Sequence, residues 1–120
     1  MRVLIVESNP DLGDIWKKHL ARAGCEVELE TSQEAAITRL HTQDVAVIVL
    51  DLVLEGGSAF AVADFASYRQ PDARVVFVTN TTFFSDGSIF RHIPNARAFL
   101  QRETPPDDLA AMVSYYGQSA

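Results

Sequence analysis

The sequence is short of the features that mark secreted, membrane-spanning or nucleic-acid-binding chains. It has one cysteine, Cys25, which excludes an internal disulfide and a multi-thiolate metal site and fits a reducing, cytoplasmic compartment. Basic residues are few. Ten Lys and Arg against 16 Asp and Glu leave a formal net charge of −6, with no basic stripe to meet a nucleic-acid backbone. No apolar run approaches the roughly 20 residues of a membrane-spanning helix. The opening, Met1-Arg2 and then a short apolar run, is too short and too uncharged for a secretory signal. Ser8-Asn9-Pro10 after that run offers no glycine-rich turn, and Pro10 removes a donor N–H. Both facts argue against a small flavin- or nucleotide-binding protein, which would need a phosphate-cradling loop there. Repeats, linkers and low-complexity tracts are missing as well. The 120 residues suffice for one domain with one core.

What the chain does have is buried-strand runs. Val45-Ala46-Val47-Ile48-Val49-Leu50 ends abruptly in Asp51. An apolar run with no polar alternation reads as a strand covered on both faces, central in a parallel sheet. Val3 to Val6 is a second such run, ending in Glu7-Ser8, and Val75 to Val78 is a third, ending in Thr79. Cys25 to Glu30 alternates instead: Cys25, Val27 and Leu29 face inward, while Glu26, Glu28 and Glu30 form a wet outer face. That pattern predicts an edge strand whose charges discourage pairing with another chain. A short fifth strand runs from Asn95 to Leu100 and leads into Gln101 and Arg102.

Helical signals separate the strands. Pro10-Asp11 opens a helix with Leu12, Ile15, Trp16, Leu20 and Ala23 at core spacing, and Gly24 stands at its end. Thr31 and Glu34 predict a capping box for a second helix carrying Ala35, Ala36, Ile37 and Leu40. Ser58 caps a third, with Ala61, Val62, Phe65 and Tyr68 toward the sheet, and Pro71 breaks it. A fourth, less regular helix is expected within Thr81 to Ile93, where Ser85 and Asp86 provide a start. Pro105-Pro106-Asp107-Asp108 opens the last, whose buried face is Leu109, Met112, Val113 and Tyr116. The prediction is an α/β fold, a doubly wound five-stranded parallel sheet in the order 2-1-3-4-5, flanked by five helices.

Such sheets bind ligands beyond the carboxyl ends of their strands, at the switch point between the first and third. Glu7, Ser8, Asp51, Thr79 and Arg102 all fall on that rim. Carboxylates, a hydroxyl and a guanidinium together suit phosphoryl chemistry. Asp51 would be the nucleophile that forms an acyl phosphate. A hard divalent cation on oxygen ligands would offset carboxylate repulsion, Thr79 would donate a hydrogen bond, and Arg102 would supply positive charge. No catalytic base stands apart from the acceptor, so an independent enzyme is not expected. His19, His41 and His92 have no metal-site spacing.

In order and spacing, Glu7-Ser8, Asp51 in VIVLDLVLEGG, Thr79 in VVFVTN and the ARAFLQR stretch resemble the receiver domains of bacterial two-component response regulators, over essentially the whole chain. The resemblance implies that Asp51 is the phosphoacceptor and that Glu7, Asp51 and the Val53 carbonyl hold Mg²⁺. It makes Thr79 the switch hydroxyl and Phe99 the aromatic switch position. It implies a histidine kinase or phosphotransfer protein as donor, a downstream protein target, and a homodimer as a further candidate assembly. The signal would leave through the fourth helix, fifth strand and fifth helix. Phe83, Phe84, Ile89, Phe90 and Tyr115 lie near that face, as a docking patch or as core. No output domain follows the fifth helix, so a stand-alone receiver is expected. Several positions depart from the family. Ser8 replaces the second acidic residue, Arg102 the Lys, and Glu55 and Glu103 two prolines. A neutral Ser8 weakens the metal site, and the Arg fork cannot copy a compact ammonium. These departures raise the alternative of a pseudo-receiver adaptor that binds partners without phosphorylation.

Overall fold

The apolar runs become the middle of a sheet. In a computed structural model of the chain, which describes residues 1–79 and 93–118, β1 (Arg2–Val6), β3 (Val47–Asp51) and β4 (Arg74–Thr79) lie side by side, with β2 (Glu26–Glu30) and β5 (Ala96–Gln101) at the edges. The order is β2-β1-β3-β4-β5, every pairing is parallel, and both features agree with the prediction. The described residues carry four helices rather than the expected five: α1 (Pro10–Arg22), α2 (Gln33–Thr42), α3 (Ala59–Arg69) and α4 (Pro106–Gln118). The helix expected within Thr81 to Ile93, all of it but Ile93 itself, lies outside the described residues, with its apolar residues Phe83, Phe84, Ile89 and Phe90 and with His92.

Strand side chains alternate faces with period two, and each face builds its own core. Leu4, Val6, Ile48, Leu50, Val75 and Phe77 meet Ala36 and Leu40 of α2 and Val62, Ala63 and Ala66 of α3. Val3, Ile5, Val47, Val49, Val76 and Val78 meet Trp16 and Leu20 of α1 and Leu109 and Val113 of α4. Each fully buried aliphatic side chain contributes about 1.5–3 kcal/mol relative to exposure. Three residues assigned to the core from their spacing lie outside it: Ile15 is 45% and Tyr68 85% exposed, and Ala23, the C-cap of α1, is exposed as well. Ile15 sits about 100° round the helix from Trp16, and Tyr68 about 240° from Val62, so neither shares its neighbour's inward stripe.

Caps set the helix starts. Asn9 Oδ1 accepts from the N–H groups of Asp11 at 3.0 Å and Leu12 at 3.4 Å, and Gly24 follows the Ala23 cap with φ 94°. The second helix is capped by Ser32, one residue later than predicted, its Oγ accepting from Ala35 N–H at 3.2 Å. Glu34 therefore falls one position short of the place a capping box needs. Nor is the acidic face of β2 simply solvated. Arg39 Nη2 lies 2.8 Å from Glu30 Oε2 and 3.7 Å from Glu28 Oε2, and Arg2 Nη2 lies 3.1 Å from Glu26 Oε2.

Candidate functional site

The same period-two alternation decides which side chains meet beyond the strand ends. Val3 and Ile5 point toward α1 and α4, so Glu7 follows on that side; Val47 and Val49 bring Asp51 to it. Arg102 would not join them without an irregularity. Along β4 and β5 the register passes from Val75 opposite Ala96 to Val76 opposite Ala98, leaving Arg97 as an extra residue. Ala96 therefore packs on the α2/α3 face, while Ala98 and Leu100 pack on the α1/α4 face. This β-bulge on an edge strand re-aims everything after it. Without it, alternation would send Arg102 to the face opposite Asp51. The Arg102 N–H then extends the ladder by one bond, donating to Thr79 O at 2.9 Å.

Glu7 and Asp51 are each 1% exposed. Asp51 Oδ1 accepts from Val53 N–H at 2.9 Å, the fixed contact that orients the carboxylate. Glu7 Oε1 accepts from Asn9 N–H at 3.2 Å and from Arg102 Nη2 at 2.8 Å. The same Arg102 nitrogen lies 3.3 Å from Asp51 Oδ2. Glu7 Oε2, Asp51 Oδ2 and Arg102 Nε are buried without a hydrogen-bond partner.

Burial, followed by the hydrogen bond and charge of neighbouring Asp51, pushes the Glu7 carboxyl up to about 8, although the Asn9 N–H and the Arg102 guanidinium pull it down. At neutral pH Glu7 therefore keeps its proton.

A cleft of about 490 Å³ opens above, lined by Glu7, Ser8, Asn9, Pro10, Val53, Glu55 and Arg102. Ser8 Oγ accepts from Glu55 N–H at 2.9 Å and ties the loop after β1 to the loop after β3. That contact joins residues 47 positions apart and could not be read from the sequence; nor could the Arg102 bridge or the Arg97 bulge that produces it. Val53 is exposed, Thr79 is buried at the end of β4, and Phe99 is partly buried, its ring stacked on Phe77 at 5.1 Å. The structure thus brings Glu7, Asp51 and Arg102 into one cluster and keeps Phe99 on the other face of the sheet.

The groups present do not fit a resident divalent ion. Mg²⁺ asks for near-octahedral oxygen ligands. Here Ser8 stands where a further acid would be needed, and a guanidinium nitrogen already lies between the two acids. Among the described residues no group of three His, Cys, Asp or Glu forms a metal site.

A family model, the response regulator receiver domain, matches residues 3–114. The chain belongs to the receiver family. Its solved neighbours share the receiver fold. A CheY-like receiver domain from Methanospirillum hungatei superposes with a TM-score of 0.88 at 19% identity, covering 97% of this chain and 92% of the other. The non-phosphorylated HemR receiver domain from Leptospira biflexa gives 0.87 at 20% identity, covering 99% and 95%. TrrA from Thermotoga maritima, solved in complex with Mg²⁺ and BeF, gives 0.83 at 20% identity, covering 96% and 97%. No curated protein sequence matches the chain. As a receiver it is a two-component signalling domain, and no described helix is long and apolar enough to cross a membrane.

Proposed function

We propose that this receiver accepts a phosphoryl group on Asp51 and passes the signal on by docking a protein target. The observation that carries the reading is the state of the Asp51 carboxylate: Oδ1 is fixed by the Val53 N–H, while Oδ2 accepts no N–H and faces the Arg102 guanidinium. Oδ2 is the nucleophile. It attacks the phosphorus of a phosphohistidine on a kinase or phosphotransfer protein and forms an O–P bond. The P–N bond breaks, and its electron pair stays on the imidazole nitrogen. Arg102 balances the added negative charge, Thr79 supplies the switch hydroxyl, and the stacked Phe99 transmits the change through β5 and α4 as a population shift. Were Mg²⁺ to enter, Glu7, Asp51 and the Val53 carbonyl are the groups that would hold it.

A second reading, a pseudo-receiver adaptor that works without phosphate, is favoured by one specific observation. Asp51 is 1% exposed and does not line the cleft. Intact mass after incubation with acetyl phosphate, with Mg²⁺ or with EDTA, separates the two readings. Here the P–O bond breaks and acetate leaves. Addition of one phosphoryl group to the wild type and none to Asp51→Asn supports acceptance. A folded wild type that gains nothing under either condition leaves the adaptor.

A further inference from the structure

A receiver site needs positive charge beside its acceptor, and in this chain the charge is covalently attached. Arg102 Nη2 is 2.8 Å from Glu7 Oε1 and 3.3 Å from Asp51 Oδ2. One nitrogen bridges both acids, the place a divalent ion would need. The Arg102 side chain is 29% exposed while the carboxyl side chains beneath it are 1% exposed, so the guanidinium separates the cleft from the acceptor oxygen. Its Nε has no partner. Its side-chain contacts run through Nη2, to Glu7 and Asp51, so an outward swing has only those two to break. The Arg97 bulge makes the arrangement a property of the backbone, since the bulge puts Arg102 on this face at all.

We propose that Arg102 is the resident cation and cover of this site: it stands in place of the divalent ion between Glu7 and Asp51, excludes Mg²⁺ from the resting receiver, and must swing into the cleft before a phosphodonor reaches Asp51 Oδ2. This deepens the function proposed above, because the oxygen it covers is the proposed acceptor. Arg102 is thus a positioning residue whose charge replaces a cofactor. A guanidinium suits the task, since a single Nη2 at the end of a long side chain brings positive charge to both acids at once.

The test reads metal binding alone. Mn²⁺, which like Mg²⁺ prefers oxygen ligands, is titrated into the full chain, and the free ion is followed by electron paramagnetic resonance. Wild type, Arg102→Gln and Arg102→Lys are compared after circular dichroism shows each is folded. The wild type is expected to show no saturable site in the millimolar range. Arg102→Gln is expected to gain at least about tenfold in affinity, because a like charge in direct contact with the site is gone. Adding Asp51→Asn to Arg102→Gln should abolish the gain and so locate it. Should Arg102→Gln fail to fold, Arg102→Lys carries the comparison, since its ammonium is compact and leaves room between the acids. Wild-type binding as tight as that of the variants overturns the proposal, and so does a folded variant that still binds nothing. Neither readout requires phosphoryl transfer. An Asp51 that never accepts phosphate would remove the proposed function and leave this result standing.

Discussion

The two ends of the sheet bury polar groups in opposite ways. At the amino end two buried amides are spent on the backbone. Gln70 Oε1 accepts from Val45 N–H at 2.9 Å, and Gln70 Nε2 donates to Leu40 O at 2.8 Å and Gln43 O at 2.7 Å. Asn95 Nδ2 donates to Ala73 O at 2.9 Å, while its Oδ1 accepts from Ser67 Oγ at 2.7 Å. At the carboxyl end the buried groups are charged or acidic and keep unused capacity. Four buried side-chain polar atoms lack a partner among the described residues, and three of them are Glu7 Oε2, Asp51 Oδ2 and Arg102 Nε; the fourth is Gln43 Oε1. Each end also has a cleft, about 370 Å³ beside Gln70 and about 490 Å³ beside Arg102. Gln70 and Asn95, with both oxygen and nitrogen bonded, hold the fold together, whereas acids short of partners can take a ligand, a proton or a phosphoryl group.

If that contrast is right, damage at the amino end should fall on stability and spare the site. Gln70→Ala leaves a buried N–H and two carbonyls without their partner, so it should cost about 3 kcal/mol. Urea denaturation measures the loss, and the folded variant should keep the wild-type response to Mn²⁺. A loss of only a few tenths of a kcal/mol would mean that water replaces the amide, and the two ends would then be alike.

How much of this the sequence showed depends on whether an interaction is local. The runs ending in Glu7, Asp51 and Thr79 declared β1, β3 and β4 because a strand covered on both faces tolerates no polar residue. The alternation of Cys25 to Glu30 placed β2 at an edge for the converse reason. Ser58 announced a cap because capping acts over three residues. Gln70 and Asn95 gave no signal, since an amide that fastens distant loops is spelled like one that faces solvent. Nor did Arg97, because a bulge is defined against the partner strand. The rim was thus legible as a set of residues. Which of them touch, and that Arg102 bridges the acids, required the register.

The next effect is smaller and belongs to the carboxyl end. Glu7 holds its proton to about 8 in the folded chain against an ordinary value of 4.5. Between those values the folded state binds a proton that the unfolded state has released. The stabilising contribution of Glu7 is therefore complete below about pH 4.5 and is lost as pH rises through about 8. The melting temperature should fall over that window, and Glu7→Gln, which keeps an uncharged side chain against Asp51 and Arg102, should flatten that part of the profile. An unchanged slope in Glu7→Gln would assign the proton to another group.

Ser8 provides the smallest effect and the finest test, because two explanations of a poor metal site meet there. One blames the missing acid at Ser8, the other the guanidinium of Arg102. Ser8→Ala removes only the acceptor of an exposed Glu55 N–H, which water can replace, so it should cost no more than about 0.5–1 kcal/mol. Ser8→Asp retains an acceptor at that position and brings another carboxyl group to the cleft while Arg102 still bridges Glu7 and Asp51. If the guanidinium is the obstacle, Ser8→Asp should raise Mn²⁺ affinity by less than Arg102→Gln does, and the double variant should exceed both. If Ser8→Asp alone restores tight binding, Arg102 yields its place readily, and the missing acid rather than the built-in cation is what sets this receiver apart.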